Sequence, residues 1–298
     1  MTEETDPGAR ADALHEAGMA KSDAGDEDGA LALYLEALAL DRKRPHTLYN
    51  VGLIYKYRRD WEKSLRYNLM AAEIRPQHDA TNWNAGIAAT ALRDWRTARE
   101  AWRRQAMEIE AGEEPIEGNF GRACVRLNGF EDMGTAIETV WARRLSPVTA
   151  RINNIPTPAA KFRYGDVVLH DGAPMGERKD ADGRVFSVFN VFELFEPSQF
   201  ETYDVTIEAP DSDALNALDK ASEEAGMPFE DWTTMRMLCK ACSEGRVHEQ
   251  HDHEDHSTGW RVERRVGIAS KSSESVTEVL ERWCAHGARR VVSVDGEG

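Results

Sequence analysis

Two cysteines and four histidines are crowded into one short segment in the last third of the chain. In order, its members are Cys239, Cys242, His248, His251, His253 and His256. A C-x2-C turn lets two thiolates face one ion, and two imidazoles can complete a tetrahedral zinc site. The spacing therefore predicts a Zn²⁺ site formed by the two cysteines and the first two histidines, with the last two histidines as alternate ligands.

The compact spacing resembles that of a zinc knuckle, although the last cysteine of that motif is absent and both spacings differ. A closed structural site is favoured over a catalytic one, because catalysis needs an open coordination position, a general base and a pocket. Two interpretations without a metal stay open. The thiols can be incidental neighbours of a solvated acidic loop, or they can form a redox pair, which would need a stabilised thiolate.

The rest of the sequence offers little other chemistry. It contains no G-x-G-x-x-G, P-loop, G-x-S-x-G or H-E-x-x-H string, the signatures of nucleotide binding, serine hydrolysis and zinc proteolysis. His170 lies in a stretch rich in Gly and Pro, where a turn residue is expected. Cys124 falls in a β-type run, where a small buried residue is expected. No catalytic residue is predicted, and a non-catalytic role is favoured.

The charge balance narrows the classes of partner. The chain has 37 Lys and Arg against 53 Asp and Glu, a net charge of -16. Nucleic acids and anionic membranes both require clustered cations, so neither is a predicted partner. The sequence shows no secretory signal and no apolar run of about 18 residues, and cysteines are sparse. These features predict a cytoplasmic protein with reduced thiols.

A 34-residue period runs through the first third of the chain. Three sets of residues carry it: Gly18, Gly52 and Gly86; Asp26, Asp60 and Asp94; Ala30, Ser64 and Ala98. Such a period in helix-forming sequence indicates helical hairpins that bury their apolar faces by stacking on their neighbours. The pattern predicts three repeats over residues 11–112, after a disordered tail over residues 1–10.

In these repeating residues, over about 11–110, the chain resembles the tetratricopeptide repeat (TPR) family. The resemblance implies that the first helix of each repeat lines a concave groove for another protein or peptide. The predicted groove residues are Tyr49, Asn50, Leu53, Tyr57, Trp83, Asn84 and Ile87, together with His15 and Met19. Asparagines at two of these positions often bind a peptide backbone in the family. A carboxylate clamp is not implied, because Ala80 and Asn84 replace its basic residues. The aromatic rings suit an apolar or helical ligand, or they pack against the chain's own later domains.

Beyond residue 112 the helical pattern gives way to β-type runs and to loops rich in Gly, Pro and Asp. The runs cover residues 123–127, 140–145, 166–169 and 185–191. They predict a small β-rich module over residues 113–199. Residues 200–298 then follow the order strand, helix, strand, strand, helix, strand, with the second strand at 233–238. This order is typical of a ferredoxin-like domain, with the Cys/His-rich loop 239–256 as its insertion.

The predicted protein is therefore α+β, with a TPR helical-hairpin array, a small β module and a ferredoxin-like α/β sandwich. Its predicted function is non-catalytic protein–protein interaction, as a cytosolic adaptor or a neutralising binding partner with a structural Zn²⁺ site. The acidic charge favours a basic protein or peptide as the partner. The alternatives are a metal-dependent enzyme and a metal-handling protein, each using the Cys/His loop. The chain also resembles bacterial TPR proteins with an added C-terminal region, which implies no activity.

Overall fold

A computed structural model describes residues 6–130, 137–234 and 259–296. All six predicted zinc ligands, in the loop 239–256, lie outside the described residues. The chain divides into two compact units, residues 1–117 and 118–298. The first unit is helical and the second is mainly β, which confirms the α+β class. Among the described helices, none is both long and apolar enough to cross a membrane.

Six helices make up the described part of the first unit. They are α1 (Pro7–Asp23), α2 (Glu27–Leu40), α3 (Pro45–Tyr57), α4 (Trp61–Ile74), α5 (Asp79–Ala91) and α6 (Trp95–Arg104). Consecutive helices pack in pairs, and each pair contacts the next along the chain. Helix α1 begins inside the segment predicted to be a tail, because Pro7 pre-sets the first helical turn and Asp6 accepts a hydrogen bond from the Gly8 N–H.

The turns that join the two helices of each hairpin share one backbone conformation and one type of helix cap. Gly25, Arg59 and Arg93 occupy the left-handed backbone region, with φ of 78°, 57° and 58°. The next residue in each case is an aspartate that caps the second helix. Asp26, Asp60 and Asp94 accept from the backbone N–H groups of Gly29, Lys63 and Thr97. The aspartate period thus reflects three equivalent helix caps.

The glycine period reflects close packing inside each hairpin. A Cβ placed on Gly18, Gly52 or Gly86 would lie 2.6, 2.5 or 2.5 Å from the side chain of Tyr34, Asn68 or Trp102, respectively. The three obstructing residues are themselves 34 residues apart. Each first helix therefore approaches a large side chain of its second helix at a position where only glycine fits.

A closed five-stranded barrel forms the first part of the second unit. Its strands are β1 (Arg122–Leu127), β2 (Glu138–Arg144), β3 (Thr149–Ile152), β4 (Val167–Lys179) and β5 (Val185–Glu196). Consecutive strands pair antiparallel, and β1 pairs with β5 in parallel to close the barrel. Its buried core is made by side chains that include Val125, Leu127, Val140, Ala150, Ile152, Val168 and Val191. The four predicted β-type runs overlap β1, β2, β4 and β5, with Leu145 and Asp166 just outside their strands. Strand β3 is not predicted by the sequence.

Strand β4 extends far beyond its predicted end. The sequence predicts a loop at residues 171–174, but these residues continue β4 opposite β5. The register shifts several times between Val167 and Gly176. Such irregularities add residues to one strand and bend it. Gly172 and Pro174 are tolerated here because the ladder is interrupted, so the predicted turn at His170 is wrong.

A four-stranded antiparallel sheet and two helices complete the second unit. The elements are β6 (Glu201–Glu208), α7 (Ser212–Glu224), β7 (Phe229–Asp231), β8 (Glu263–Ser270), α8 (Ser273–Cys284) and β9 (Arg290–Gly296). The strand order across the sheet is β7-β8-β6-β9. Both helices place apolar residues in a core with β6 and β8; this core includes Leu218, Val279 and Trp283.

The strand predicted at 233–238 is replaced, within the described residues, by a short 3₁₀ turn at Trp232–Thr234. The sheet strand comes just before it, at Phe229–Asp231. The Asp231 carboxylate accepts from the Thr233 N–H at 3.0 Å, which turns the chain out of the sheet. Residues 235–238 lie outside the described part.

Side chains of the barrel and the sheet meet within the second unit. The Trp232 indole N–H donates to the Ile155 carbonyl at 3.1 Å, and both residues are buried with Ala269. Asn154 donates to the carboxylate of Glu230. The buried indole adds apolar contact area, and its N–H hydrogen bond fixes the orientation of the ring. These contacts hold the barrel against the sheet.

Candidate functional site

The predicted groove residues lie on the first helix of each hairpin, and α3 contacts α5 directly. Tyr49 is half-buried, and its ring meets His78 edge-on at 5.3 Å. His78 is the residue that caps α5, where it accepts from the Thr81 N–H. In the first hairpin, the His15 ring packs against Tyr34 at 5.5 Å. The Tyr49–His78 contact therefore joins the second repeat to the third, while the His15–Tyr34 contact lies within the first.

The two groove asparagines have different surroundings. Asn50 is half-buried and hydrogen-bonds the Tyr34 hydroxyl of the preceding repeat. Asn84 is buried, and its amide nitrogen has no hydrogen-bond partner in the described part of the chain. The asparagine available at the groove surface is therefore Asn50.

The predicted groove residues include exposed side chains in the first two repeats, whereas those of the third repeat are half-buried or buried. Met19 is 46% exposed and Tyr57 is 43% exposed, while Leu53 is half-buried. Ile87, by contrast, is 1% exposed. Trp83 is half-buried and packs edge-on against Trp102 at 5.0 Å. The accessible part of the predicted site is thus the apolar surface of α1 and α3.

Both histidines near this surface favour the neutral form. Burial is the main cause that lowers the pKa of His15, and Arg44 lowers it further. Burial likewise lowers the pKa of His78, with Arg75 adding to the effect. Burial removes the water that would stabilise a charged imidazolium, and the positive charge of a nearby guanidinium repels it. The aromatic surface is therefore suited to an apolar ligand at neutral pH.

Acidic side chains flank Met19 on α1. Glu16 and Asp23 are exposed, and they occupy positions three residues before and four residues after Met19. Residues at this spacing share one helix face. Neither carboxylate has an ion-pair partner among the described residues. The exposed part of the groove therefore combines apolar surface with uncompensated negative charge.

Of the other residues singled out in the sequence, Cys124 and His170 are buried in the barrel, and the predicted zinc ligands lie outside the described residues. Cys124 is fully buried, as predicted, and burial raises the pKa of its thiol to about 11. His170 is also fully buried. Within the described residues, no group of three His, Cys, Asp or Glu side chains is placed to hold a metal ion. The zinc prediction rests on residues outside this part of the chain.

Sequence reasoning missed a cluster on the outside of the barrel. Arg122, Trp141, Phe186 and Arg178 come from four different strands, and their aromatic and guanidinium groups stack on one another. No local spacing connects these residues. The only available signal was alternation in the β-type runs, which indicates a face but not which strands are neighbours.

Three features of the six helices repeat every 34 residues: the turns, the aspartate caps and the close glycine contacts. Residues 7–104 form a TPR-like array. No protein-family model matches the sequence, and no curated protein matches it either.

Several solved structures are similar to the TPR-like array. One is the first TPR of Spaghetti (RPAP3), bound to an HSP90 peptide, which is 20% identical to this chain. The similar region covers 33% of this chain and 77% of that protein, with a TM-score of 0.31. The Sgt2 TPR domain from Aspergillus fumigatus is 24% identical, covers 32% of this chain and 62% of its own, and has a TM-score of 0.29. MamA is 21% identical to this chain, and the similar region covers 35% of this chain and 62% of MamA, with a TM-score of 0.29.

Proposed function

We propose that the chain is a non-catalytic protein–protein interaction module that acts in the cytoplasm as an adaptor or a neutralising binding partner. The observation that carries this proposal is the exposed apolar surface on the first two repeats of the TPR-like array. Stacked helical hairpins hold such a surface rigidly, which lowers the conformational cost of binding. The chemistry of the surface favours a helical or extended segment with apolar side chains.

The charge around the groove favours a basic ligand. Glu16 and Asp23 flank Met19, and the chain as a whole carries a net charge of -16. Complementary charge at an interface increases the association rate and discriminates against wrong partners. We therefore expect the preferred peptides to combine apolar anchors with Lys or Arg.

The test is selection of peptides from a random library on the full chain, followed by affinity measurement on variants. Met19→Glu with Leu53→Glu should weaken the selected peptides by about 2 kcal/mol or more, as expected at the centre of an interface. The matched control is Leu40→Glu with Ile74→Glu, two second-helix residues that are 39% and 40% exposed. The control should bind as the parent chain does.

Equal binding by the groove variant and the control would show that the peptides bind elsewhere. The larger substitutions Tyr49→Ala and Trp83→Ala are less informative. Their rings contact His78 and Trp102, so truncation would disturb the packing of the array itself.

The proposal also includes a structural zinc site in residues 239–256 and a ferredoxin-like arrangement for residues 200–298. The spacing of the cysteines and histidines in the sequence supports the zinc site. The strand order β7-β8-β6-β9, with one helix after β6 and one after β8, supports the arrangement. The metal would stabilise the segment between β7 and β8 without taking part in chemistry.

Metal content per chain is the direct test of the zinc site, using untagged protein. We expect about one tightly bound zinc ion, the usual load of a four-ligand site. It should be lost in the Cys239→Ser, Cys242→Ser double variant together with a fall in melting temperature. Several exchangeable ions per chain would favour a metal-handling protein. No metal in either protein would remove the zinc site and the metal-dependent enzyme together, and would leave the groove proposal unaffected.

A further inference from the structure

A polar cavity of about 440 Å³ lies on the outside of the barrel. Its lining residues are Arg122, Trp141, Arg178, Lys179, Asp180, Ala181 and Asp182. They belong to β1, β2, β4 and the turn between β4 and β5. The walls are therefore held by strands of one closed barrel rather than by a single loop.

The aromatic and cationic groups of the cavity are ordered by contact with one another. The guanidinium of Arg122 lies 4.8 Å from the Trp141 ring, and that of Arg178 lies 5.2 Å from the same ring. The Phe186 ring meets the Trp141 indole edge-on at 5.3 Å. Arg178 also donates to the Thr139 carbonyl at 2.8 Å. Both guanidinium groups are thus positioned before any ligand arrives.

The three cations of the cavity have no ion-pair partner among the described residues. Asp180 and Asp182 also line the cavity, and both are engaged in the turn. One Asp180 oxygen accepts the N–H groups of Asp182 and Arg184 at 3.0 and 2.9 Å, and Asp182 pairs with Arg184 at 2.9 Å. The nearby Cys124 thiol is buried and neutral at physiological pH. Arg184 neutralises Asp182, and Asp180 offsets one of the three cations, so the lining keeps an excess of positive charge. Such an excess is unusual in a chain with net charge -16.

Glu230 is a further carboxylate that interacts electrostatically with the cluster, through Arg178. Arg178 lowers the pKa of Glu230, although burial dominates and raises that pKa overall. Glu230 is itself held by a hydrogen bond from Asn154. It therefore faces the barrel–sheet junction and leaves the cavity side of the cluster positively charged.

Guanidinium groups bind phosphate and carboxylate through paired N–H donors, while a lysine adds a point charge. Three cations match the two negative charges of a phosphate monoester better than a single carboxylate. The cavity is also far larger than one phosphate group, and Trp141 gives it an aromatic wall. A ligand that fills it needs an organic part next to its anionic group.

We propose that this cavity binds a small organic phosphate, with the phosphate group held by Arg122, Arg178 and Lys179 and the organic part against Trp141. A nucleoside monophosphate and a sugar phosphate share this chemistry. They differ in whether a base stacks beside the indole. The site is separate from the groove of the TPR-like array, so its occupation is an independent property of the chain.

The test is calorimetric titration of the full chain with adenosine 5′-monophosphate, ribose 5-phosphate and inorganic phosphate at low ionic strength, where exposed charges are least screened. Arg122→Gln and Lys179→Gln should each weaken binding of the organic phosphates by about tenfold or more. Arg151→Gln, at an exposed arginine on β3 outside the cavity, is the matched control and should change nothing. Trp141→Leu should weaken the nucleotide more than the sugar phosphate if a base stacks there.

Three results would overturn the proposal. The first is the absence of binding by either organic phosphate at about 1 mM, the weak end of specific affinities. The second is inorganic phosphate binding as tightly as both. The third is an equal loss in Arg151→Gln and Lys179→Gln. Melting curves identify any variant that fails to fold. Lys179 is exposed at the end of β4, so its variant keeps the proposal testable if Arg122→Gln unfolds.

Discussion

Replacing Gly86 by alanine is expected to destabilise the TPR-like array by about 2 kcal/mol. The new Cβ would lie 2.5, 2.6 and 2.7 Å from three ring carbons of Trp102, whose side chain is fully buried. Overpacking of this kind costs about 1–3 kcal/mol. Alanine would recover up to about 1 kcal/mol of helix propensity, but the enclosed indole cannot move away. Thermal unfolding followed by circular dichroism at the helix band measures the effect.

A second substitution distinguishes steric conflict from other causes. Trp102→Phe removes the three carbons that the new methyl group would meet, so Gly86→Ala should cost much less in that background. Gly112→Ala is the control, because its Cβ would lie 3.8 Å from the nearest side-chain atom, that of Arg99. Gly86→Ala with parental stability would contradict the close approach of α5 and α6.

Replacing His170 by phenylalanine is expected to remove most of the acid sensitivity of the barrel. The imidazole is fully buried on β4, stacks on Phe189 at 4.8 Å, and bonds through Nδ1 to the Asp171 carbonyl. Its Nε2 atom has no partner among the described residues. Burial, with a contribution from Arg144, lowers the pKa of His170 from 6.5 to about 3. The folded barrel therefore holds this ring neutral.

The sign of the pH effect follows from proton uptake. Between pH 6.5 and pH 3 the unfolded chain binds a proton at this histidine and the folded chain does not, so stability falls as the pH falls. One pKa unit corresponds to about 1.4 kcal/mol, which gives a loss of roughly 2–3 kcal/mol at pH 4.5. Burial raises the pKa of Asp166, Glu138 and Glu230, and these groups act in the opposite direction. The difference between variant and parent isolates the histidine.

Hydrogen exchange of the β4 peptide, measured by mass spectrometry and corrected for intrinsic rates, reports on the barrel separately from the helices. Parent protein should lose roughly 2–3 kcal/mol more opening free energy than His170→Phe between pH 7 and pH 4.5. His286→Gln, at an exposed histidine, should behave as the parent. An identical pH response in parent and His170→Phe would show that the imidazole is accessible to protons in the folded chain.

The repeats were predictable because their contacts are local. Each glycine and the side chain it faces are 16 residues apart, and the aspartate caps act within a single turn, so one period in the sequence describes packing and capping together. The same locality explains where α7 and α8 begin. Asp211 and Ser272 each accept a backbone N–H three residues ahead, which is a signal that the sequence carries in full.

The barrel was less predictable because its pairing is not local. Strand β3 has only four residues, and its identity depends on pairing with both β2 and β4. Gly172 and Pro174 look like loop residues until β5 is known to lie opposite them. The cavity depends on this same pairing, since Arg122 and Trp141 become neighbours only across the ladder. The 34-residue frame predicted that the candidate groove residues lie on the first helices of the hairpins, but the burial of Asn84 and Ile87 has no local sequence signal.

The parallel closure of β1 on β5 has a consequence for the order in which the chain folds. Residues 124–126 pair with residues 188–190, so the barrel stays an open sheet during synthesis until more than 60 further residues have been added. The helical hairpins need only neighbours close in sequence and can form as they leave the ribosome. Contacts between distant residues form slowly. We therefore expect closure of the barrel to be the late event in biogenesis, when its unpaired edges are most exposed to other chains.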